Sequence, residues 1–255
     1  MFMKNLTMYV FLILVTGSSI NFYGQEEKEE NSFKEPVQEL LFSDPVYIQE
    51  PKKIQQTLRA GHLENDEELS NSLDYEIEYG LIKGIQISAG YNYQHWNVEN
   101  VPFDSGWLET GVLINLFNNS SQAAALSLEA EFPLNKPDLE DIEPEDSPAY
   151  TPALIYAFQI SKTQFHLSTG TEFQEKEVNW FYNAAAVYGD GTFHPVIELN
   201  AVSEEDFNWY AGAGLIVNAD NGWDFGAGLR HGINNSEWNG SLHLVYEFSL
   251  GSEEE

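Results

Sequence analysis

Carboxylate side chains recur at every second position in two stretches of this chain. Glu76 and Glu78 follow Asp74 in the first stretch, and Glu129 and Glu131 form the second. If both stretches are β-strands, side chains two residues apart point to the same side and lie about 7 Å apart. Rows of fixed negative charge attract cations and oppose anions through their summed field. This spacing therefore predicts an acidic surface that favours cations.

Two histidine–serine pairs have the same spacing of two residues. They are Ser241 with His243 and His166 with Ser168. A hydrolase needs a serine that is activated by a histidine, which a third polar group orients. Both pairs take the polar parity of their segments, whereas a lipid hydrolase would present its serine to lipid. Three further residues near strand ends form a weaker candidate: His95, His231 and Ser236. No Gly-x-Ser-x-Gly or His-Glu-x-x-His pattern occurs, and we predict no catalytic residue.

These residues lie in segments whose polarity alternates with a period of two. Near the C-terminus, Leu242, Leu244 and Tyr246 take one parity, and Ser241 and His243 take the other. One apolar face and one polar-to-acidic face are typical of a transmembrane β-barrel with lipid outside and water inside. Strands are predicted at 53–61, 72–81, 85–96, 106–117, 122–133, 149–160, 163–173, 178–188, 192–202, 206–218, 222–233 and 237–250.

The breaks between these segments alternate between short and long. The short breaks carry the Gly, Asn and Asp residues that tight hairpin turns need for positive φ. We therefore predict an all-β fold, a transmembrane antiparallel up-and-down β-barrel of about twelve strands with short periplasmic turns and longer acidic external loops. An even strand count places both termini in the periplasm. The longer breaks are 61–71, 97–105, 134–148, 174–177, 203–206 and 234–237.

A soluble β-sandwich would also show alternating polarity. It does not predict loops of alternating length, nor aromatic residues at both ends of the apolar face, as membrane interfaces favour. Pro152 and Pro195 fall inside predicted strands, where each removes a ladder hydrogen bond. A β-bulge near the strand end would accommodate each proline. The aromatic residues at strand ends are Trp180, Trp209 and Trp238 on the loop side and Tyr188, Phe193 and Trp223 on the turn side.

The composition excludes several classes of protein. With 41 acidic and 11 basic residues the formal charge is −30, so nucleic acid is not an expected partner. An aromatic content of 14% argues against a disordered chain. The chain has no cysteine, which excludes disulfides, thiolate metal sites and cysteine nucleophiles. No stretch of eighteen consecutive apolar residues occurs, so membrane insertion requires strands.

The N-terminus is typical of an export signal. Lys4 precedes a short apolar run at 9–15, and a small-residue stretch begins at Gly17. We expect cleavage after Gly24. The predicted organisation is a signal peptide at 1–24, an acidic N-terminal periplasmic segment or plug at 25–52, an outer-membrane β-barrel at 53–250 and an acidic tail at 251–255.

The polar parity of the strands predicts the lining of the lumen. We interpret the chain as a narrow channel or transporter for small polar or cationic solutes, surrounded by lipid in the outer membrane of a Gram-negative-type bacterium. A closed structural or scaffold barrel without conductance and an outer-membrane lipid-modifying enzyme are the alternatives. No cofactor is expected, and the acidic loop 135–148 lacks the spaced pattern of a calcium loop. The predicted lumen charges are Asp74, Glu76, Glu78, Glu109, Glu129, Glu131, Glu172, Glu198, Asp224 and Glu247, with Arg59 and Arg230.

Several of these strands also resemble a known family. Residues 76–81 (EIEYGL) followed by 85–89 (IQISA) are similar to the opening strand–turn–strand of a broad family of outer-membrane barrels named for a MetA-type phenol-degradation pathway. Residues 125–133 and 152–158 resemble its middle strands, and the similarity covers roughly residues 42–250. Residues 42–45 (FSDP) stand where the family often has Thr-Asp-Arg-Pro. The resemblance implies an outer-membrane protein with a role in transport, and it assigns no functional residue.

Overall fold

The computed structural model describes residues 37–65, 68–98, 101–134, 147–175, 177–189, 191–203, 207–219 and 221–250. Within these ranges twelve antiparallel strands form a closed barrel, in which each strand pairs with its neighbours in sequence and β1 pairs with β12. The predicted all-β, twelve-stranded up-and-down barrel is therefore confirmed. The strands are β1 Lys53–Glu64, β2 Glu68–Ile82, β3 Ile85–Val98, β4 Val101–Asn119, β5 Gln122–Pro133, β6 Ala149–Ile160, β7 Thr163–Gln174, β8 Glu177–Tyr188, β9 Phe193–Ser203, β10 Phe207–Ala219, β11 Trp223–Gly232 and β12 Trp238–Ser249.

Among the described residues, no helix combines the length and the apolar character needed to cross a membrane. The predicted signal peptide at 1–24, the first part of the 25–52 segment, most of the 135–148 loop and the tail at 251–255 lie outside the described residues.

The alternation of apolar and polar residues in the sequence corresponds to side chains that face outward and inward in the barrel. In β12, Leu242 is 60% exposed, whereas Val245, on the other parity, is fully buried. Large apolar side chains such as Leu229 and Ile197 cover the outer surface, while polar side chains such as Gln55 turn inward. This distribution is the reverse of that in a water-soluble protein, and an apolar outer band of this kind requires a non-aqueous surrounding.

Two predicted loop boundaries were wrong. The predicted loops 61–71 and 97–105 are largely paired strand, because β1 pairs with β2 as far as Glu64 and Leu69, and β3 pairs with β4 as far as Val98 and Val101. Ladder hydrogen bonds join backbone groups and do not depend on apolar side chains. The hairpins therefore continue past the point at which the apolar alternation ends.

The turn at the opposite end of most hairpins uses the residues expected from sequence. Gly84, Gly191 and Gly222 have φ values of 80°, 88° and 80°, and Ser161 and Asn221 also have positive φ. These conformations match the tight hairpin turns that the short breaks predict.

The two strand prolines are accommodated without the β-bulge that we expected. Pro152 coincides with a gap in the β6–β7 ladder, and the pairs on either side of the gap keep the same register. Pro195 lies one residue before the first β8–β9 pair, at Val196. Each proline therefore lacks its N–H at a position where the β6–β7 ladder or the β8–β9 ladder, respectively, has no residue pair. The register shifts that do occur lie between Gly80 and Ile82 and between Asn115 and Phe117.

The interior contains two apolar clusters, and both include residues that precede β1. Their presence means that the segment 37–50 lies inside the barrel. The first cluster consists of Val37, Leu40 and Leu41 with Ala185, Val187, Val196 and Ile216. The second consists of Val46 with Ala123, Ala125, Ile155 and Ala157, against which Ile48 and Leu113 pack.

The assignment of the outer face can be tested by placing a charge on it. Leu128 points outward and is 45% exposed, whereas the adjacent Ser127 points inward and is 4% exposed. Leu128→Arg should lower the free energy of unfolding by about 2–4 kcal/mol if the site lies at the bilayer midplane, because a guanidinium that faces lipid loses its hydration. Denaturant titration in phospholipid bilayers measures this loss. The matched Ser127→Arg variant places the same group beside lumen carboxylates and should lose less. Equal losses would contradict the assignment.

Candidate functional site

One side of the lumen contains an acidic cavity of about 170 Å³. Strands β1 to β6 form its wall, and the segment 37–50 closes its inner side. The cavity brings together half of the predicted lumen charges with two acidic residues of the segment. Its charged lining consists of Glu39, Asp44, Arg59, Glu76, Glu78, Glu109, Glu129 and Glu131.

Arg59 is the cation in this lining. Strand register places it directly opposite Asp74 on β2 and His243 on β12, and its Nη2 lies 3.5 Å from Oε2 of Glu39. A single guanidinium faces several carboxyl groups, so acidic groups outnumber basic groups in the cavity lining. In a space partly shielded from water this excess attracts cations more strongly than it would on an open surface.

Amide and hydroxyl donors hold individual carboxylates of the cavity in place. The side chains of Gln55 and Gln86 both donate to Glu78, and Oγ of Ser127 donates to Glu129 at 2.6 Å. These donors fix the direction of the two carboxyl groups. The wall therefore presents an ordered acidic surface.

A second group of predicted lumen residues binds the segment 37–50 instead of lining the cavity. Glu198 accepts hydrogen bonds from the backbone N–H groups of Leu41, at 2.8 Å, and Phe42, and from Oγ of Ser43, at 2.8 Å. Three donors on one buried carboxylate form a charge-assisted latch. We call this arrangement the Glu198 latch.

Two further acidic residues bind the ends of the same segment. Asp224 accepts a hydrogen bond from the backbone N–H of Gln38 at 3.0 Å. Glu247 accepts one from the hydroxyl of Tyr47 at 2.8 Å and pairs with Nζ of Lys53 at 3.1 Å. The acidic parity of β9, β11 and β12 thus serves as a set of acceptors for the segment.

Arg230 adds an aromatic contact on the side of the segment away from the turns. Its guanidinium carbon lies 5.0 Å from the ring centre of Phe42 and 4.9 Å from that of Tyr210. A guanidinium between two rings is stabilised by their negative faces, more strongly when it is desolvated. Arg230 therefore joins Phe42 to the barrel wall.

Glycines on β10 and β11 provide the space that the segment occupies. A Cβ atom added at Gly214 would lie 2.3 Å from Cδ1 of Leu41, and one at Gly228 would lie 2.7 Å from the same atom. A Cβ atom at Gly212 would meet Phe42 at 3.4 Å. Each of these glycines faces the lumen, so the bare backbone forms a seat for Leu41 and Phe42. We call these three glycines the glycine seat.

Neither histidine–serine pair forms a nucleophile–base contact. Both ring nitrogens of His243 and Oγ of Ser241 are buried and have no hydrogen-bond partner among the described residues. Ser168 accepts a hydrogen bond from the side chain of Asn183 at 2.9 Å, while neither ring nitrogen of His166 has a partner in the described part of the chain. Sequence spacing placed each pair on one face, as expected, but not in contact.

The outer-face histidines make other contacts. Nδ1 of His95 lies 2.7 Å from Oδ1 of Asp104, and the ring of His231 stacks on Trp238 with centres 4.2 Å apart. Within the part of the chain that the structure describes, no three His, Asp or Glu side chains are arranged to hold a metal ion.

Glu172 stands apart from both groups of acids. It has the inward parity of β7 but lines no part of the cavity and does not hydrogen-bond to the segment 37–50. Three glutamines were not among the predicted site residues: the side chain of Gln49 donates to Gln55 at 2.6 Å, and its backbone N–H donates to Gln86 at 2.7 Å. The signal in the sequence that could have revealed this contact is the position of Gln55 and Gln86, which share the inward-facing parity with the acidic residues.

Comparison with family models and with curated proteins finds no match. Solved structures do match. An outer-membrane channel from Pseudomonas putida F1 is similar with a TM-score of 0.69 at 11% identity, over 81% of this chain and all of that one. The KdgM porin matches with a TM-score of 0.57 at 13% identity, over 75% of this chain and 99% of the porin. The NanC porin matches with a TM-score of 0.57 at 9% identity, over 75% of this chain and 98% of the porin. The chain thus shares the fold of outer-membrane channels.

The Glu198 latch can be weakened without changing the shape of the side chain. Glu198→Gln replaces a charged acceptor of three hydrogen bonds by a neutral one, which should cost about 1–2 kcal/mol. Amide hydrogen exchange in residues 37–50, followed by mass spectrometry, should become about tenfold faster. Glu172→Gln is the matched control, since the same change is made on the same parity away from the segment. Equal exchange in the two variants would show that Glu198 does not hold the segment.

Proposed function

We propose that this chain is an outer-membrane channel of narrow bore that admits small polar or cationic solutes. The closed barrel, the apolar outer face and the polar interior support this function, as does the fold shared with the P. putida channel and the two porins. The segment 37–50 shares the lumen with any solute, which accounts for the narrow bore.

The acidic cavity is the observation that carries the proposal. Its carboxylates are held by amide and hydroxyl donors, and Arg59 is their one basic neighbour in the cavity lining. One similar structure is the KdgM porin in complex with disordered oligogalacturonate, a polyanion. A cavity lined by carboxylates opposes such a ligand. We therefore propose a different solute class for this chain.

A closed scaffold barrel without conductance is the second candidate. The two apolar clusters, the Glu198 latch and the glycine seat all favour it, because they hold the segment 37–50 within the lumen. The two functions differ in whether the segment ever leaves enough space for ions. The third candidate, a lipid-modifying enzyme, receives no support from the contacts of the outer-face histidines described above.

We further propose the location and organisation that the sequence predicts. Residues 1–24 are the signal peptide, both termini are periplasmic, and the protein lies in the outer membrane of a Gram-negative-type bacterium. The resemblance of several strands to the barrel family named for a MetA-type phenol-degradation pathway is compatible with this placement, and membership of that family is part of the proposal.

Ion selectivity tests the proposed solute class. Replacing Glu76, Glu78, Glu129 and Glu131 together by Gln should shift the reversal potential in a salt gradient toward zero, the value of a non-selective channel. The reason is that the fixed charge that concentrates cations is removed. The shift should be largest at low ionic strength, since the Debye length falls from about 30 Å at 0.01 M salt to about 3 Å at 1 M. Planar-bilayer recording of the parent and variant measures it.

Glu172→Gln is the control for this experiment, because it removes one lumen-parity carboxylate from outside the cavity and should leave the selectivity nearly unchanged. An anion-selective parent channel would refute the electrostatic argument. A parent protein that inserts into bilayers without conducting would favour the scaffold.

The proposed topology predicts which segments reach the cell surface. An epitope inserted at Glu140, in the acidic loop, should be labelled by antibody on intact cells. An epitope placed after Gly251 should be labelled only after the outer membrane is permeabilised, because both termini are periplasmic. The reverse pattern would overturn the assignment of the turn side to the periplasm.

A further inference from the structure

The barrel wall beneath the segment 37–50 carries polar groups among the alanine, valine and isoleucine side chains on which the segment packs. Four wall residues carry polar atoms with no hydrogen-bond partner among the described residues: Thr57, His166, Ser241 and His243. Their exposures are 3%, 2%, 6% and 4%. Buried polar groups in proteins are nearly always paired, so four unpaired ones that face the same lumen call for an explanation.

The two residues paired with Ser241 do not account for its burial. It is paired with Gly61 on β1 and Gly228 on β11, neither of which has a side chain that could cover it. Leu41 and Phe42 lie over Gly228, and the hydroxyl of Ser72 lies over Gly61. The segment 37–50 therefore covers the wall on the β11 side of Ser241.

The same holds for His166 on the opposite side of the barrel. Its neighbours are Ala157 on β6 and Ala185 on β8. Ala157 belongs to the apolar cluster that contains Val46, and Ala185 belongs to the one that contains Leu41. His166 thus lies between the two places at which the segment packs against the wall.

Two sets of interactions have opposite effects on the stability of the segment 37–50 inside the barrel. The glycine seat and the Glu198 latch stabilise the segment in its seat. The unpaired hydroxyl and imidazole groups beneath it destabilise the same arrangement, and water in an open lumen would satisfy them. A wall built only to receive an apolar segment would not need these groups.

We propose that residues 37–50 are a displaceable plug, and that the wall they cover, with Ser241 and His243 on one side and His166 on the other, lines the conducting pore. This inference rests on the proposed channel function, because it describes the conducting state of the same lumen. The acidic cavity lines the rest of that pore.

Single cysteines test the proposal directly, because the chain contains none. Ser241→Cys places a thiol beneath the plug, and Ser88→Cys places one in the acidic cavity as a matched control. Each variant is reconstituted in phospholipid vesicles and treated with a water-soluble methanethiosulfonate, and the rate of modification is followed by mass spectrometry. Each is also combined with Leu41→Asp, which places a charge in the first apolar cluster without altering a strand.

In the parent background the thiol at 241 should react about tenfold more slowly than the thiol at 88, as expected when reaction waits for local opening. Leu41→Asp should abolish most of this difference by accelerating reaction at 241 and leaving that at 88 unchanged. If Leu41→Asp disturbs assembly, Glu198→Gln serves as the second variant. Reaction at 241 that is as fast as at 88 in the parent, or that neither variant accelerates, would overturn the proposal.

Currents recorded from the same variants separate this inference from the proposed function. Faster reaction at 241 without any current would leave the displaceable plug standing and refute the channel. Current that flows while the thiol at 241 stays protected would leave the channel standing and refute the displaceable plug.

Discussion

The pairing of β1 with β12 is the constraint on which the rest of this structure depends. In an apolar surrounding every backbone N–H and C=O must find a partner within the protein, and only closure of the sheet removes its two free edges. Twelve pairs from Lys53–Ser249 to Glu64–Trp238 close it here. Closure then fixes the parity of each strand: one set of side chains faces outward for the whole circumference, and the other faces an enclosed lumen.

That lumen is wider than wall side chains alone can fill, since twelve strands lie between the filled eight-stranded barrel and the open sixteen-stranded porin. The chain fills part of the space with its own residues 37–50. The wall is adapted to them locally, with glycines where Leu41 and Phe42 contact it and carboxylates where backbone N–H groups need acceptors. On the β1–β6 side the segment leaves the acidic cavity.

Strand positions and the inward or outward direction of side chains could be predicted from sequence because both follow from a local period of two. The turns at Gly84, Gly191 and Gly222 follow from equally local chemistry. The contact between Leu41 and Glu198 could not be predicted in this way, because it joins residues 157 positions apart and one partner has no periodic neighbours. The lengths of the β1–β2 and β3–β4 hairpins also escaped prediction, since backbone pairing beyond the apolar band leaves no hydrophobic pattern.

The same separation of local and distant signals explains why the acids looked alike in sequence and differ in the structure. Glu76 and Glu129 line the cavity, whereas Glu198 and Asp224 accept hydrogen bonds from the segment 37–50. If the segment leaves its seat, Glu198 and Asp224 lose these donors and turn toward water, while Glu39 leaves the cavity with the segment. The displaced state would then be lined by carboxylates on both sides of the lumen, with Arg59 and Arg230 freed from Glu39 and Phe42. Displacement would thus widen the lumen and spread its negative charge around the circumference, so opening and cation preference would arise from one movement.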